Sequence, residues 1–187
     1  MIYLASQNAH KALELERLLG SGVAPLPFYE APVEDGETFT DNARIKARAG
    51  ARVAPAGAMV VADDSGIVVE ALRGAPGIHS ARYGGDGLDD AGRVAHLLAE
   101  LGDAADRRAA FICVLVAIAP DGSERVAEGR VDGTIAAAPR GDAGFGYDPV
   151  FVPVGETRTI GEMSDAEKDA RSHRGRAAAA LRAALGR

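Results

Sequence analysis

The chain has 187 residues, of which 47% are hydrophobic and 26% are charged, a balance typical of globular proteins rather than disordered or fibrous ones. This length predicts one domain spanning residues 1–187. The net charge of −6 without a basic block argues against binding to nucleic acid. No apolar run reaches the roughly 18 residues of a membrane span and no signal-peptide pattern is present, so we expect a cytoplasmic protein without a membrane partner.

The first elements predict an anion site. Residues 2–5 have the pattern of a short buried strand, and residues 9–19 have that of a helix capped by Asn8. Free backbone N–H groups at such a helix start favour a phosphate, and Lys11 adds a positive charge. Without a glycine-rich signature, the same pattern also fits an ordinary capped helix with a solvated lysine. The candidate residues are Ser6, Gln7, Asn8, Ala9, His10 and Lys11.

A second strand over residues 23–28 and a helix ending near residue 53 follow, and Thr38 opens a sequence like a capping box before that helix. Helical spacing places Lys46 on the same face as Asn42. Lys46 therefore either points along a functional face or is simply solvated. Glu34, in the preceding loop, is a candidate metal carboxylate with an equally plausible solvated alternative.

The most informative stretch is Asp63-Asp64-Ser65-Gly66, which follows the apolar residues 59–62. We predict that a buried strand ends at Asp63, which puts two carboxylates at the strand end where open α/β sheets bind ligands. Adjacent like charges disfavour joint ionisation unless a cation lies nearby, and oxygen ligands suit Mg²⁺. The alternative is a tight turn in which Asp and Ser bond locally and Gly supplies a positive φ.

The remaining elements predict a mixed sheet. Residues 67–72 form another strand and residues 88–101 an amphipathic helix. Residues 109–119 are apolar almost throughout, so they predict a central strand covered on both faces, with Cys113 in the core. Residues 124–135 return as its antiparallel partner after a turn.

Two further stretches are candidates for recognising a purine base. In the irregular segment 139–149, glycines flank Phe145, so a base could stack on its ring. Alternatively, Phe145 and Tyr147 anchor this loop to the core. Near the end of the chain, His173 and Arg174 offer adjacent donors suited to a purine 6-oxo group, or else belong to a helix cap that follows a short helix carrying Lys168.

Taken in order, these motifs resemble the inosine triphosphate pyrophosphatase-like family, enzymes that hydrolyse non-standard purine nucleoside triphosphates. The resemblance implies an α/β fold with a mixed, elongated sheet flanked by helices, and two lobes with the active site in the cleft between them. It also implies a homodimer and Mg²⁺-dependent hydrolysis of ITP, dITP and XTP to the monophosphate and pyrophosphate. The matching segments are 6–11, 38–43, 62–66, 74–77, 80–83, 144–149 and 172–175.

The resemblance also implies roles for individual residues. Asp64 and Asp63 would be catalytic, and with Glu34 they would hold the metal. The segment 6–11 and Lys46 would bind the triphosphate, although family members usually have Thr in place of Ser6 and often Gly in place of Gln7 and His10. The residues implied to contact the rest of the substrate are Ser65, Phe145, Gly146, Tyr147, Asp148, Lys168, His173 and Arg174.

The implied reaction is attack of water at the α-phosphorus, with Asp64 or Asp63 accepting the proton and Mg²⁺ neutralising the leaving pyrophosphate. Two other readings of the same residues stay open at this point. A phosphomonoesterase could also use paired aspartates with Mg²⁺, but it would release orthophosphate. A nucleotide-sensing protein could bind ITP and leave it intact.

Overall fold

The computed structural model describes residues 1–20, 22–85 and 87–186, which form six strands and five α-helices. Short 3-10 turns lie between several of them. The strands are β1 (Ile2–Leu4), β2 (Val23–Pro25), β3 (Met59–Val69), β4 (Arg108–Ile118), β5 (Glu124–Ile135) and β6 (Phe151–Pro153). The helices are α1 (Ala9–Leu19), α2 (Phe39–Val53), α3 (Asp90–Leu101), α4 (Asp165–Arg171) and α5 (His173–Ala184).

The strands form one mixed sheet in the order β2-β1-β3-β4-β5-β6. β1 pairs in parallel with both β2 and β3, whereas β5 and β6 are antiparallel. β4 and β5 are joined only by residues 119–123, which is too short for a parallel crossover, so they are antiparallel. The predicted α/β class, the mixed sheet and the interior position of β4 are confirmed.

The chain divides into two compact units, which correspond to the two predicted lobes. The first unit contains Met1–Asp64, Cys113–Gly129 and His173–Arg187. The second contains Ser65–Ile112 and Arg130–Ser172. That the two units form one functional domain, with a site in a cleft between lobes, stays a prediction.

In the first unit, helices cover the sheet through small and aliphatic side chains. Leu15 and Leu19 of α1 and Leu181 of α5 share a buried cluster with Val61 and Leu115. α1 begins where the Asn8 side chain accepts a hydrogen bond from the Lys11 N–H, as predicted. This cap fixes the first turn of α1, which carries the predicted phosphate-binding residues.

The second helix of this unit, α2, is also capped as predicted, since the Thr38 side chain accepts from the Asp41 N–H. Its Gly50 lies so close to the sheet that a Cβ there would be 2.9 Å from Cγ1 of Val60 and 2.8 Å from Cβ of Ala5. α2 therefore packs tightly on the strands, which brings its buried residue Lys46 close to β3.

The second unit has its own core. Ile67 and Val69 of β3 pack with Leu97 and Leu101 of α3, and Phe111 belongs to the same buried cluster. Tyr147 and Met163 are members too, so the irregular segment after β5 is attached to this core. Among the described residues, no helix has the length and apolarity needed to cross a membrane.

The structure corrects the prediction that a strand ends at Asp63. β3 runs without a break from Met59 to Val69, and a 3-10 turn, Glu70–Leu72, replaces the end of the second strand predicted at 67–72. The alternative of a tight turn at Asp63-Asp64 is excluded as well. The two carboxylates lie inside the strand because buried cations from other elements compensate them, which local sequence does not reveal.

Three other boundaries differ from the predictions. β2 ends at Pro25, not at residue 28, because Pro25 and Pro27 lack the N–H that a ladder needs. α3 begins at Asp90 because Asp89 caps it. α5 begins at His173, so His173 and Arg174 lie in this helix rather than in a cap before it, and only Ser172 separates it from α4.

Gly129 of β5 tests the packing that holds α5 against the sheet. A Cβ at this position would be 2.0 Å from the carbonyl oxygen of His173 and 2.4 Å from the backbone nitrogen of Ala177. Backbone atoms of a helix cannot move aside cheaply, so we expect Gly129→Ala to lower the free energy of unfolding by at least about 1–3 kcal/mol. Urea unfolding against the exposed neighbour variant Glu128→Ala measures this; equal stability of the two variants would contradict the packing described here.

Candidate active site

Strand β3 presents its two aspartates to different helices. Successive side chains of a strand point to opposite faces of the sheet, so Asp63 shares a face with Val61 and Asp64 shares a face with Val60. Val61 packs in the cluster of α1 and α5, whereas Val60 lies against α2. The pair therefore meets two separate sets of partners.

Asp63 is 3% exposed and lies among cations. Its Oδ2 is 3.0 Å from Nζ of Lys11 and 3.6 Å from Nη2 of Arg174. Arg174 also donates through Nη1 to Oε2 of the buried Glu14. Burial alone would raise the pKa of Asp63, but Lys11, Arg174 and Lys46 outweigh it and hold that pKa below its ordinary value. Asp63 is thus kept ionised.

Asp64 is in a different electrostatic state. Lys46 donates from Nζ to Oδ1 of Asp64 at 2.8 Å and to Oε2 of Glu34 at 3.1 Å. Burial raises the pKa of Asp64 above its ordinary value, and the attraction of Lys46 lowers it by less. Asp64 is therefore the better proton acceptor of the two carboxylates, since a raised pKa means a stronger base.

Lys46 is itself held in place by its surroundings. Burial would lower the pKa of Lys46, but Asp63 and Asp64 more than offset this and raise it. One turn earlier on α2, the buried Asn42 accepts a hydrogen bond from the Gly36 N–H at 2.9 Å. This bond fixes the loop next to Glu34, so the carboxylate reaches the ammonium group.

The predicted phosphate loop lies between β1 and α1. Ser6 Oγ accepts from the Asn8 N–H at 3.2 Å, and Ala9 and His10 form the first turn of the helix. Gln7, which departs from the family pattern, donates from Nε2 to the carbonyl oxygen of Tyr29 at 3.4 Å. The side chain of Gln7 therefore has a partner in the following loop, and the positive end of the α1 dipole, which favours an anion, lies at this turn.

The predicted metal ligands meet lysines rather than one another. Among the described residues, no group of three or more His, Cys, Asp or Glu side chains is arranged to hold a metal ion. However, Oδ2 of Asp64 is buried and has no hydrogen-bond partner within residues 1–20, 22–85 and 87–186. Mg²⁺ is commonly held by one or two carboxylates together with substrate phosphates, so this oxygen fits such an ion.

A second group of predicted residues lies in the second unit. Lys168 donates from Nζ to Oδ2 of Asp148 at 2.7 Å, and both side chains are buried. The same oxygen accepts from the Phe145 N–H at 2.9 Å, and the Lys168 ammonium is 4.6 Å from the centroid of the Phe145 ring. A cation over an aromatic face stabilises both groups, so this loop presents a half-buried ring beside a fixed charge.

Other residues of this loop have structural roles. The Tyr147 hydroxyl donates to the carbonyl oxygen of Ser80 at 2.9 Å, and the ring is buried. Tyr147 therefore anchors the loop to the core, which was the alternative to a role in base recognition. Gly144 has a φ of 76°, and a Cβ there would be 2.2 Å from Oδ2 of Asp148. Gly146 of this loop is half-buried. Ser65, another residue implied to contact the substrate, is also half-buried but lies within β3.

Arg174 and His173 begin α5 and belong to the first unit. Both are buried. Two nitrogens of the Arg174 guanidinium already face carboxylates, those of Glu14 and Asp63. Their contact with a purine base stays a prediction.

Sequence reasoning missed two residues near the carboxylates, Glu14 and Tyr29. Glu14 is 5% exposed, and a signal was present, because it lies three residues after Lys11 on the same helix face. Tyr29 lies in an irregular loop and gave no such signal. Its hydroxyl is buried, lacks a hydrogen-bond partner in the part of the chain that the structure describes, and has its pKa raised by burial to about 12.

Comparison with known proteins places this geometry in a family. Residues 2–184 match the model of the Ham1 family. The chain belongs to the Ham1 family. It is 50% identical to the dITP/XTP pyrophosphatase of Mycobacteroides abscessus over 191 residues, which cover 96% of this chain and 92% of that protein. It is also 50% identical to the dITP/XTP pyrophosphatase of Mycobacterium tuberculosis over 198 residues, covering 98% and 94% of the two chains.

The fold agrees with solved structures of this family. The Ham1 protein of Staphylococcus aureus superposes with a TM-score of 0.87 at 38% identity, covering 99% of this chain and 97% of that one. The resemblance inferred from the motifs is confirmed at the level of the family.

The ionised state of Asp63 predicts how the stability of this Ham1-family protein depends on pH. A depressed pKa in the folded state contributes stability that is present above the unfolded value of 3.8 and is lost as the pH falls toward the folded value. Asp63→Asn also removes the carboxylate that faces Lys11 and leaves the buried Arg174 with Glu14 as its remaining carboxylate partner among these contacts, so we expect a loss of about 3–5 kcal/mol at neutral pH.

Urea unfolding of wild type, Asp63→Asn and the exposed control Asp103→Asn at several pH values between 7 and about 2.5 measures both effects. As the pH falls, we expect the free energy of unfolding to decrease less in Asp63→Asn than in wild type and in Asp103→Asn. Parallel pH curves for all three proteins would show that Asp63 is not held ionised by its neighbours.

Proposed function

We propose that this Ham1-family protein hydrolyses non-standard purine nucleoside triphosphates, ITP, dITP and XTP, to the monophosphate and pyrophosphate. The observation that carries the proposal is the divided state of the two aspartates in β3. Asp63 is ionised among cations, whereas Asp64 has a raised pKa and an oxygen without a partner among the described residues. A hydrolase needs such a base next to positive charge that can meet a phosphate.

The triphosphate has positive partners on two sides of β3. Lys11 and Lys46 reach the aspartates from α1 and α2, and the positive end of the α1 dipole lies beside Lys11. Ser6 and Asn8 belong to the same turn. When substrate binds, these groups stabilise the negative charge that spreads onto the phosphates in the transition state.

Asp64 would accept the proton of the attacking water. The water oxygen forms a bond to the α-phosphorus, the bond from that phosphorus to the bridging oxygen breaks, and pyrophosphate leaves. Lys46 keeps Oδ1 of Asp64 occupied, so Oδ2 would serve both Mg²⁺ and the proton, one with each of its two lone pairs. Asp63 orients Lys11 and is a poorer base because its pKa is depressed.

Mg²⁺ would be held by Asp64 and Glu34 together with the substrate phosphates; Asp63, also expected as a ligand, points to the opposite face of β3 and would act on the ion through its charge alone. The ion, when bound, supplies charge neutralisation for the leaving pyrophosphate and a lower pKa for the water that attacks. Lys46 contacts both Glu34 and Asp64, so the ion would bind carboxylates that already have this ammonium group as a partner.

The purine would stack on Phe145. Lys168 lies over this ring and is fixed by Asp148, so we propose its ammonium group as a donor to the base. A 6-oxo group accepts a hydrogen bond from such a donor, whereas the 6-amino group of adenine leaves it unsatisfied. We propose His173 and Arg174 as further donors to the base.

The products distinguish this proposal from its alternatives. Purified protein with Mg²⁺ is incubated separately with ITP, XTP, GTP and ATP in water enriched in ¹⁸O, and pyrophosphate, orthophosphate and nucleotides are measured independently. We expect monophosphate and pyrophosphate from ITP and XTP, at least about 10-fold less from ATP, and ¹⁸O in the monophosphate. Orthophosphate would indicate a phosphatase, unchanged nucleotide a binding protein, and ¹⁸O in pyrophosphate attack at the β-phosphorus.

The role of Asp64 predicts a pH profile. Protonated Asp64 cannot accept a proton, so kcat/KM falls as the pH drops through the pKa of Asp64, which burial raises and a bound Mg²⁺ would lower. Asp64→Asn should lower kcat by at least about 10²- to 10⁴-fold. Its circular dichroism spectrum should match that of wild type; near-normal turnover would remove Asp64 from this role.

The expected homodimer and the cytoplasmic location stay predictions. Sedimentation of the purified protein measures the first directly.

A further inference from the structure

Two adjacent aspartates at the start of α3 serve different partners. Asp89 caps the helix, since its Oδ1 accepts from the Gly92 N–H at 2.8 Å. Asp90 instead accepts from the Gly146 N–H at 2.7 Å, a contact across 56 residues of sequence. Because Asp89 already supplies the cap, the carboxylate of Asp90 is available for the loop that carries Phe145.

The orientation of Asp90 is fixed within its own helix. Arg93, three residues later, donates from Nη1 to Oδ1 of Asp90 at 2.8 Å, which leaves Oδ2 directed at Gly146. Arg93 is the more enclosed of the two side chains, with 22% exposure against 51% for Asp90. The guanidinium therefore favours the orientation of the carboxylate in which Oδ2 faces Gly146.

The contact lies at a critical point of the loop. The Phe145 N–H donates to Asp148 and the next N–H, that of Gly146, donates to Asp90, so two carboxylates hold successive peptide groups. Gly146 has a φ of 63°, and a Cβ there would meet nothing within 4 Å, so this glycine serves the backbone turn rather than close packing. These two bonds hold the peptide groups on both sides of Phe145, from which its ring projects.

The ring position in turn decides the contact with Lys168. The ammonium lies 4.6 Å from the ring centroid and bonds to the same Asp148 oxygen that holds the Phe145 N–H. A shift of the Phe145 peptide would move the Phe145 ring away from the Lys168 ammonium group. The ion pair between Asp148 and Lys168 would remain.

From these contacts we infer that Asp90 is a positioning residue for purine recognition: through the Gly146 N–H it holds the Phe145 ring in the orientation on which the base stacks. This inference rests on the proposed function, in which the base meets Phe145. Asp90 touches neither phosphate nor base, so its loss weakens binding of the nucleotide and leaves the chemical step intact.

The test compares Asp90→Ala and Asp90→Asn with the matched control Asp89→Asn. All three remove one negative charge at the same helix end, and Asn remains a good cap at position 89. For each protein, kcat and KM for ITP, inhibition by inorganic triphosphate and amide hydrogen exchange of the peptide containing Gly146 are measured. Thermal unfolding checks that the variants are folded.

We expect Asp90→Ala to raise KM for ITP by about 5- to 20-fold with kcat within about twofold of wild type. Inhibition by inorganic triphosphate, which has no base, should be unchanged, and exchange of the Gly146 peptide should be faster. Asp90→Asn should lie between Asp90→Ala and wild type because its amide oxygen still accepts the Gly146 N–H. Asp89→Asn should resemble wild type in all three measurements.

Three results would overturn the inference. An unchanged KM in Asp90→Ala, or an equal rise in Asp89→Asn, would show that Asp90 does not position the base. If Asp90→Ala weakened inhibition by inorganic triphosphate as much as it weakened ITP binding, the substitution would have a general structural effect. If wild type hydrolyses ITP, these results overturn the inference about Asp90 and leave the proposed function standing. If wild type hydrolyses no purine triphosphate, the proposed function and this inference both fail.

Discussion

Two neighbouring carboxylates can remain inside a buried strand only because cations reach them from three helices. Lys11 of α1 and Arg174 of α5 contact Asp63, and Lys46 of α2 contacts Asp64. An isolated buried carboxylate would cost several kcal/mol, so these contacts are a condition for β3 to continue through both residues. The strand, the caps that start α1 and α2, and the close packing of α2 on the sheet all serve this arrangement.

The alternation of a β-strand then separates the chemistry of the two acids. Because Asp63 and Asp64 point to opposite faces, they do not share one proton as a carboxylate dyad does. Asp63 receives enough positive charge to stay ionised and to orient Lys11. Asp64 receives less, keeps one oxygen for a proton or a metal, and has the higher pKa. The same pair of residue types thus supplies one electrostatic anchor and one base.

Much of the fold could be predicted from local patterns. Asn8 and Thr38 mark helix starts, and the apolar run of β4 marks an interior strand, because caps and periodicity are encoded within a few residues. The continuation of β3 could not be predicted, since it depends on Arg174, which is more than one hundred residues away in sequence. The burial of Glu14 and Tyr29 likewise depends on tertiary contacts, although the spacing of Glu14 from Lys11 was a usable signal.

The pKa values of the adjacent aspartates in β3 are shifted in opposite directions, that of Asp63 downward and that of Asp64 upward. A titration of their side-chain carboxyl carbons by ¹³C NMR, assigned with Asp63→Asn and Asp64→Asn, tests this most directly. We expect the Asp64 signal to titrate above 3.8 and the Asp63 signal to titrate below it. Two carboxyls that titrate together, or in the reverse order, would contradict the assignment of Asp64 as the base and of Asp63 as the ionised partner of Lys11.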